Sequence, residues 1–345
     1  MTRHEPLRVT LERIPYDAAW WRGVVASHED AEVYHEPAWL AYLAESQGAE
    51  IVTAEVRQDG RPVGHLVGGI VRRYGLRILG SPMSGWGTPR MGFLLDPEAD
   101  LAAAARALLP FAYRELGCVH VELGDVRLPP GDAAAAGYVV EGGRTFLVDL
   151  TRSEEELYAN LRASTRNYVR QAARKGLVVE RPSGEDFAAE FHAQLTEVFA
   201  RQGLRPSYDE LRVRQLIRHL EPAGQVLLQR VRTSDGECVA TSVTVGTSRK
   251  AILWGAAFLR SRADVHPNEL LHWEAMRYWR DRGAAAFDFG GGGDYKAKFG
   301  GVETPSLRYT AYRFGLLRYG RDGARGLFHA RQGAGRRQPK PVAGP

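Results

Sequence analysis

The same order of elements occurs twice along the chain, and this restricts the fold more than any single motif. In the first stretch, residues 52–56 form a β-branched run, Asp59-Gly60 a turn and residues 62–71 a second run. A turn near Tyr74-Gly75 and a short run over 76–79 complete an antiparallel meander. An Ala/Leu-rich helix is predicted over 100–116, stopped by Gly117, with a strand over 118–123. The second stretch repeats this: strands over 226–231 and 239–245 around the Asp235-Gly236 turn, a strand over 251–258, a helix over 267–282 stopped by Gly283, and a strand over 286–289. Sequence identity between the stretches is slight, so the repeat rests on the order of elements. The expected architecture is α/β: two tandem units over residues 1–150 and 151–319, each a mixed, mostly antiparallel sheet flanked by helices.

The 345 residues are 44% apolar and 25% charged, which supplies a sizeable core. The start is polar, no apolar run approaches the length of a membrane span, and a cytoplasmic protein is expected. Cys118 and Cys238 form neither a disulfide framework nor a zinc site and are read as small buried hydrophobes. The net charge of +5 is concentrated at the end: residues 318–345 hold seven Lys/Arg against one acid. The body therefore lacks the basic footprint of a dedicated duplex binder. Residues 320–345, rich in Gly, Arg, Gln and Pro, are expected to be a basic tail without fixed structure.

Between the two stretches one continuous helix is predicted from the Ser153/Glu156 capping box to Gly176. Leu157, Leu161, Ser164, Tyr168 and Ala172 form its apolar face. Opposite lie Arg162, Arg166, Arg170 and Arg174, with Lys175 at the end. Like charges at this spacing repel, so the stripe is either a solvated face or a surface for a phosphate-bearing ligand such as a nucleotide-linked acceptor or tRNA backbone. Two further helices are predicted over 187–202 and 209–220.

The chemistry-bearing candidates cluster in loops. The run from Gly290 to Gly293, followed by Asp294-Tyr295-Lys296-Ala297-Lys298-Phe299-Gly300, comes after a strand, where open α/β sheets place ligands. Lys296 is a candidate donor to the oxyanion of a tetrahedral intermediate. Asp288 or Asp294 is a candidate acceptor of an amine proton, and Tyr295 and Lys298 are candidate substrate contacts. The glycines lack the Gly-Lys-Ser/Thr of a phosphate loop. A second loop, Gly80-Ser81-Pro82-Met83-Ser84-Gly85-Trp86-Gly87, suggests Ser84 and an exposed Trp86 as cleft residues, or a tryptophan plugging a domain interface. Trp254, on the predicted strand over 251–258, joins Arg162, Arg166 and Arg170 in the substrate-binding set. The histidines show no metal-ligand spacing and no nucleophile elbow is present, so neither a metal nor a covalent intermediate is expected.

Four segments together resemble the Fem-like acyltransferases, a group that includes peptidoglycan-bridge aminoacyltransferases and related acetyltransferase-fold proteins of polysaccharide gene clusters. They are Tyr34-His35-Glu36-Pro37-Ala38-Trp39-Leu40, the arginine-bearing segment over 153–175, Pro267-Asn268-Glu269-Leu270-Leu271-His272-Trp273, and the closing Phe287-Asp288-Phe289-Gly290 through Lys296-Ala297-Lys298-Phe299-Gly300. The resemblance spans roughly residues 30–315. It implies two GNAT-like (acetyltransferase-like) units facing a shared cleft, with Lys296 at the reacting carbonyl. It also implies transfer of an aminoacyl group from aminoacyl-tRNA, or of an acyl group from acyl-CoA or another thioester, to an amine by direct attack. The chain departs from the pattern in two places. The pyrophosphate signature of acetyl-CoA enzymes is missing at residues 260–266, and there is no coiled-coil insertion. The acceptor, a small molecule or nucleotide-linked precursor, and the oligomeric state stay open. A non-catalytic nucleotide-sugar-binding protein is the alternative from another class.

Overall fold

The computed structural model describes residues 8–315 except 202 and 292. The basic segment after 319 lies outside the described residues. In the first half come β1 (Val9–Ile14), α1 (Ala18–Ser27), α2 (Pro37–Gln47), the meander β2 (Glu50–Gln58), β3 (Arg61–Arg73) and β4 (Leu76–Ser81), then β5 (Gly92–Leu95), α3 (Leu101–Pro110), β6 (His120–Leu123), α4 (Pro130–Ala135) and β7 (Val139–Asp149). The second half holds α5 (Glu154–Asn160), α6 (Ala163–Arg174), β8 (Val178–Glu180), α7 (Phe187–Ala200), α8 (Glu210–Leu220), β9 (Val226–Arg232), β10 (Cys238–Gly246), β11 (Lys250–Phe258), α9 (Pro267–Asp281), β12 (Ala286–Asp288) and β13 (Val302–Tyr312). Among the described residues no helix is long and apolar enough to cross a membrane.

One mixed, mostly antiparallel sheet runs through both halves in the order β1-β2-β3-β4-β6-β13-β7-β12-β11-β10-β9-β8, with β5 paired to β3. The chain boundary near residue 150 therefore does not divide the sheet. The halves exchange their last strands: β13 pairs with β6 (Tyr309 opposite Leu123), and β7 pairs with β12 (Val148 opposite Phe287). β7 and β13 also pair along nine positions and stitch the halves together.

Three apolar clusters fill the layers. One packs α3 (Ala104, Leu108) on Leu66, Phe93 and Val121 of the first half. Another packs α6 and α9 (Val169, Leu271, Trp279) on Val231 and Phe287 of the second. The third joins the halves, bringing Trp21, Tyr34 and Trp39 against Phe191, Leu216 and Ile252. Large fully buried side chains such as these contribute roughly 1.5–3 kcal/mol each.

Two expectations are corrected. The arginine-bearing segment is two helices, because Leu161 and Arg162 are both extended (ψ 143° and 145°). Leu161 is buried, the Arg162 N–H donates to Lys298 O at 2.9 Å, and the Arg166 guanidinium donates to Ala159 O at 2.7 Å and to Leu161 O. The two guanidinium bonds satisfy carbonyls left open where α5 ends. The break rotates the second helix, so its buried face is Thr165, Val169 and Ala172 instead of Ser164, Tyr168 and Ala172. Trp86 is buried, not exposed: at 1% exposure it lies against Gly69 and Ala49, in the cluster that joins the halves.

Candidate active site

The site arises where two parallel strands part. β11 and β12 stay paired from Lys250/Ala286 to Ile252/Asp288 and then diverge. On its other edge β11 bulges: Val243 faces Gly255 and Thr244 faces Leu253, so Trp254 is the extra residue. A bulge bends its strand and re-aims a side chain, and Trp254 lines the cleft that opens at this point, of about 600 Å³. Phe289, Gly290, Gly291, Tyr295 and Lys296 of the closing loop form one wall. Tyr34 and residues 87–89 of the first half also line it, as do Tyr208, Arg212 and Arg308. Gly87 has φ +69°, and a methyl group there would meet Trp254 Nε1 at 2.8 Å. Glycine thus keeps the loop against the indole.

Among the described residues, three cations and no carboxylate line this cleft. Lys296 Nζ donates to Phe289 O at 2.8 Å, to Gly291 O at 3.0 Å and to Gly290 O. Carbonyls only accept, so this cradle uses all three hydrogens of an ammonium. Burial pushes the Lys296 pKa down, and the Asp288 charge opposes that shift. Arg212 is held by Tyr42 Oη and Gly85 O, both at 2.9 Å. Arg308 bonds Glu122 Oε2 at 3.0 Å and Pro82 O at 3.2 Å. It reaches the cleft only because β13 belongs to the first half's side of the sheet.

Burial alone would raise the Glu122 carboxyl. The His120 hydrogen bond, the Arg308 charge and the Ser84 N–H (2.6 Å) together overcome it and bring the pKa from 4.5 down to about 2. A depressed folded-state pKa stabilises the fold above the unfolded value and loses that stability as pH falls through the folded value. Acidification from about pH 5 to about pH 2 is therefore expected to remove about 3 kcal/mol through this group. Urea melts should show a steeper acid limb for wild type than for Glu122→Gln. Parallel limbs would show that Glu122 is not the titrating group.

Of the residues singled out from sequence, Lys296, Tyr295 and Trp254 meet in the cleft. Ser84 is exposed, and its backbone N–H serves Glu122. Asp288 is buried behind the loop, accepting from Thr145 Oγ1, from Gly290 N at 2.8 Å and from Lys250 at 3.3 Å. Asp294 is exposed and pairs with Arg144 at 2.6 Å; Lys298 pairs with Glu269 at 2.6 Å. Arg162, Arg166 and Arg170 lie outside the lining. Sequence reasoning missed Tyr34, Tyr208, Arg212 and Arg308 as cleft residues. Tyr34 had only its place in the entry segment to mark it. Among the described residues no group of His, Cys, Asp or Glu is placed to hold a metal ion.

Residues 159–298 match the family model described as acetyltransferase (GNAT) domain. The crystal structure of FemX superposes with a TM-score of 0.69 at 16% identity, covering 87% of this chain and 97% of that one. The fold is therefore tandem GNAT-like, as in FemX. A tandem GNAT protein from the clavulanic acid biosynthesis pathway superposes on the two GNAT units with a TM-score of 0.52 at 14% identity, covering 88% of this chain and 98% of that one. A protein from Bacteroides thetaiotaomicron does so at 0.57 with 11% identity, covering 88% and 99%. No curated protein sequence matches the chain. The cleft lies at the splayed strands of the second GNAT-like unit, and the first supplies part of its lining.

Proposed function

We propose that this chain transfers an aminoacyl group from aminoacyl-tRNA to the amine of a small or nucleotide-linked acceptor, forming an amide by direct attack. The observation that carries the reading is the cleft between the two GNAT units, with three fixed cations and no carboxylate. Such a lining favours anionic substrates and a carbonyl that gains negative charge. Lys296 supplies positive charge at the closing loop and holds its carbonyls in place. Asp288 and Asp294 do not line the cleft, so this reading gives neither of them the amine proton.

The tRNA donor is supported by α6. Arg162, Arg170, Arg174 and Lys175 are exposed and meet no carboxylate among the described residues. The bond from Arg162 N to Lys298 O ties that face to the closing loop. Unpaired cations on one helix suit a phosphate backbone. The likeness to the clavulanic-pathway tandem GNAT protein, whose structure is of the form without AcCoA, favours acyl-CoA as a second reading here.

The test is a screen with tRNA charged with radiolabelled amino acids against a panel of amino sugars and diamines, with and without ribonuclease. Amide formation that ribonuclease abolishes is the expected result. Ribonuclease-resistant transfer from acyl-CoA would establish the second reading, and ligand binding without transfer from either donor would overturn both.

A further inference from the structure

Tyr34 poses a problem that the fold does not resolve. Its side chain is 1% exposed, yet the residue lines the cleft. Its ring is fixed edge-on against Trp39 at 4.8 Å. Its hydroxyl has no hydrogen-bond partner among the described residues. A buried donor left unpaired is costly, and such groups call for a functional explanation or an unseen partner.

The carboxylates nearby are already engaged. Glu32 accepts from Arg90 at 2.9 Å and from Lys250 at 3.3 Å, while Asp288 accepts from Thr145, Gly290 N and Lys250. Burial first, and then the charges of Glu32 and Asp288, hold the Tyr34 phenol well above its usual pKa, so it keeps its proton. Asp288 also acts on Lys296. Tyr34 and Lys296 both line the cleft, and the Asp288 charge acts on both. Lys296 has spent its three hydrogens on Phe289 O, Gly290 O and Gly291 O. Of these two groups the donor left with nothing to bind is Tyr34; among the described lining residues, Trp254 Nε1 and Arg212 Nη2 are also unpartnered, and they lack its relation to Asp288.

We propose that the Tyr34 hydroxyl, contributed by the first unit, is the hydrogen-bond donor to the carbonyl oxygen that becomes the oxyanion during transfer in the second unit. The assignment rests on the acyl-transfer reading. In the step, the acceptor amine nitrogen forms a bond to the carbonyl carbon, and the carbonyl π pair moves onto oxygen, where Tyr34 holds it. Collapse of the intermediate reforms the C=O bond and breaks the bond to the tRNA ribose oxygen. That leaving oxygen ends with the proton the amine gives up, carried through solvent. Until substrate enters, the donor stays unpaired.

Tyr34→Phe removes one oxygen and keeps the ring, and it separates this role from a structural one. Using the donor–acceptor pair found in the screen, turnover should fall on the order of a hundredfold, the typical loss for one oxyanion donor. KM should stay close to wild type, because the contact strengthens only as charge develops. The melting temperature should be unchanged or higher, since an unpaired buried hydroxyl is gone. Turnover within threefold of wild type overturns the assignment, as does a higher KM with unchanged turnover. A lower melting temperature overturns it too, by showing that the hydroxyl already has a partner in the free protein. If wild type itself transfers nothing, the acyl-transfer reading falls and takes this assignment with it. An active wild type with an equally active Tyr34→Phe overturns the assignment alone.

Discussion

Lys296→Met is expected to lower turnover on the order of a hundredfold or more and to lower thermal stability in the same variant. Both effects follow from one geometry. Among the described residues the ammonium is the one cation that the closing loop adds to the cleft lining, and it gathers the carbonyls of Phe289, Gly290 and Gly291 around itself. Removing it takes positive charge from the place where negative charge develops. It also leaves three carbonyls facing one another, a loss of roughly 1.5–3 kcal/mol for hydrogen bonds to a charged group. Tyr34→Phe should lower turnover alone, so the two variants form a matched pair. Lys298→Met is the internal control. It breaks a partly exposed ion pair with Glu269, and such pairs contribute about 0–1 kcal/mol. The measurements are steady-state turnover and melting temperature for all three variants. Wild-type turnover in Lys296→Met, or a greater loss in Lys298→Met, would move the catalytic charge away from Lys296.

Trp86→Ala should be the most destabilising single change in the loops around the cleft, at about 3–5 kcal/mol, the range for truncating a buried tryptophan. The indole is 1% exposed, and an added methyl at Gly69 would lie 2.9 Å from its ring. Truncation therefore opens a void in the cluster where the first unit's strands meet α2 and α8. Gly85 and Gly87 flank Trp86, and Gly85 O anchors Arg212, so the cleft should loosen with the core. Urea unfolding of the variant gives the size of the loss, and a shift below about 1 kcal/mol would show that the surroundings collapse to fill the space. Trp86→Phe should recover most of the stability, because the unpartnered indole N–H contributes no hydrogen bond.

Local signals carried much of the secondary structure into the sequence. The Asp-Gly turns after β2 and β9, the stops at Gly117 and Gly283 and the Ser153 capping box act over a few residues, and each appears where the pattern placed it. The repeat of strand–turn–strand–helix–strand was legible for the same reason: turn residues and periodicity are properties of short windows. The closing loop was legible because glycine beside lysine after a strand is locally unusual, and the structure brings Lys296, Tyr295 and Trp254 together.

Contacts between distant residues were not legible. β7 and β13 carry Gly142-Gly143 and Pro305-Ser306, which weaken a strand signal, and their pairing joins positions more than 150 residues apart. The break at Leu161 depends on a bond from Arg162 N to Lys298 O, which no helical window contains. Trp86 is buried because Gly69 on a neighbouring strand leaves room for its ring. The strand exchange brings Arg308 to the cleft, and the packing of unit on unit brings Tyr34 into the same lining as Lys296. Sequence alone determined the repeated order of elements, their turns and the glycine–lysine loop, because those depend on backbone preferences of neighbouring residues. Only the tertiary structure decided which side chains share the cleft and which hydroxyl is left without a partner, because burial and hydrogen-bond satisfaction belong to the packed whole.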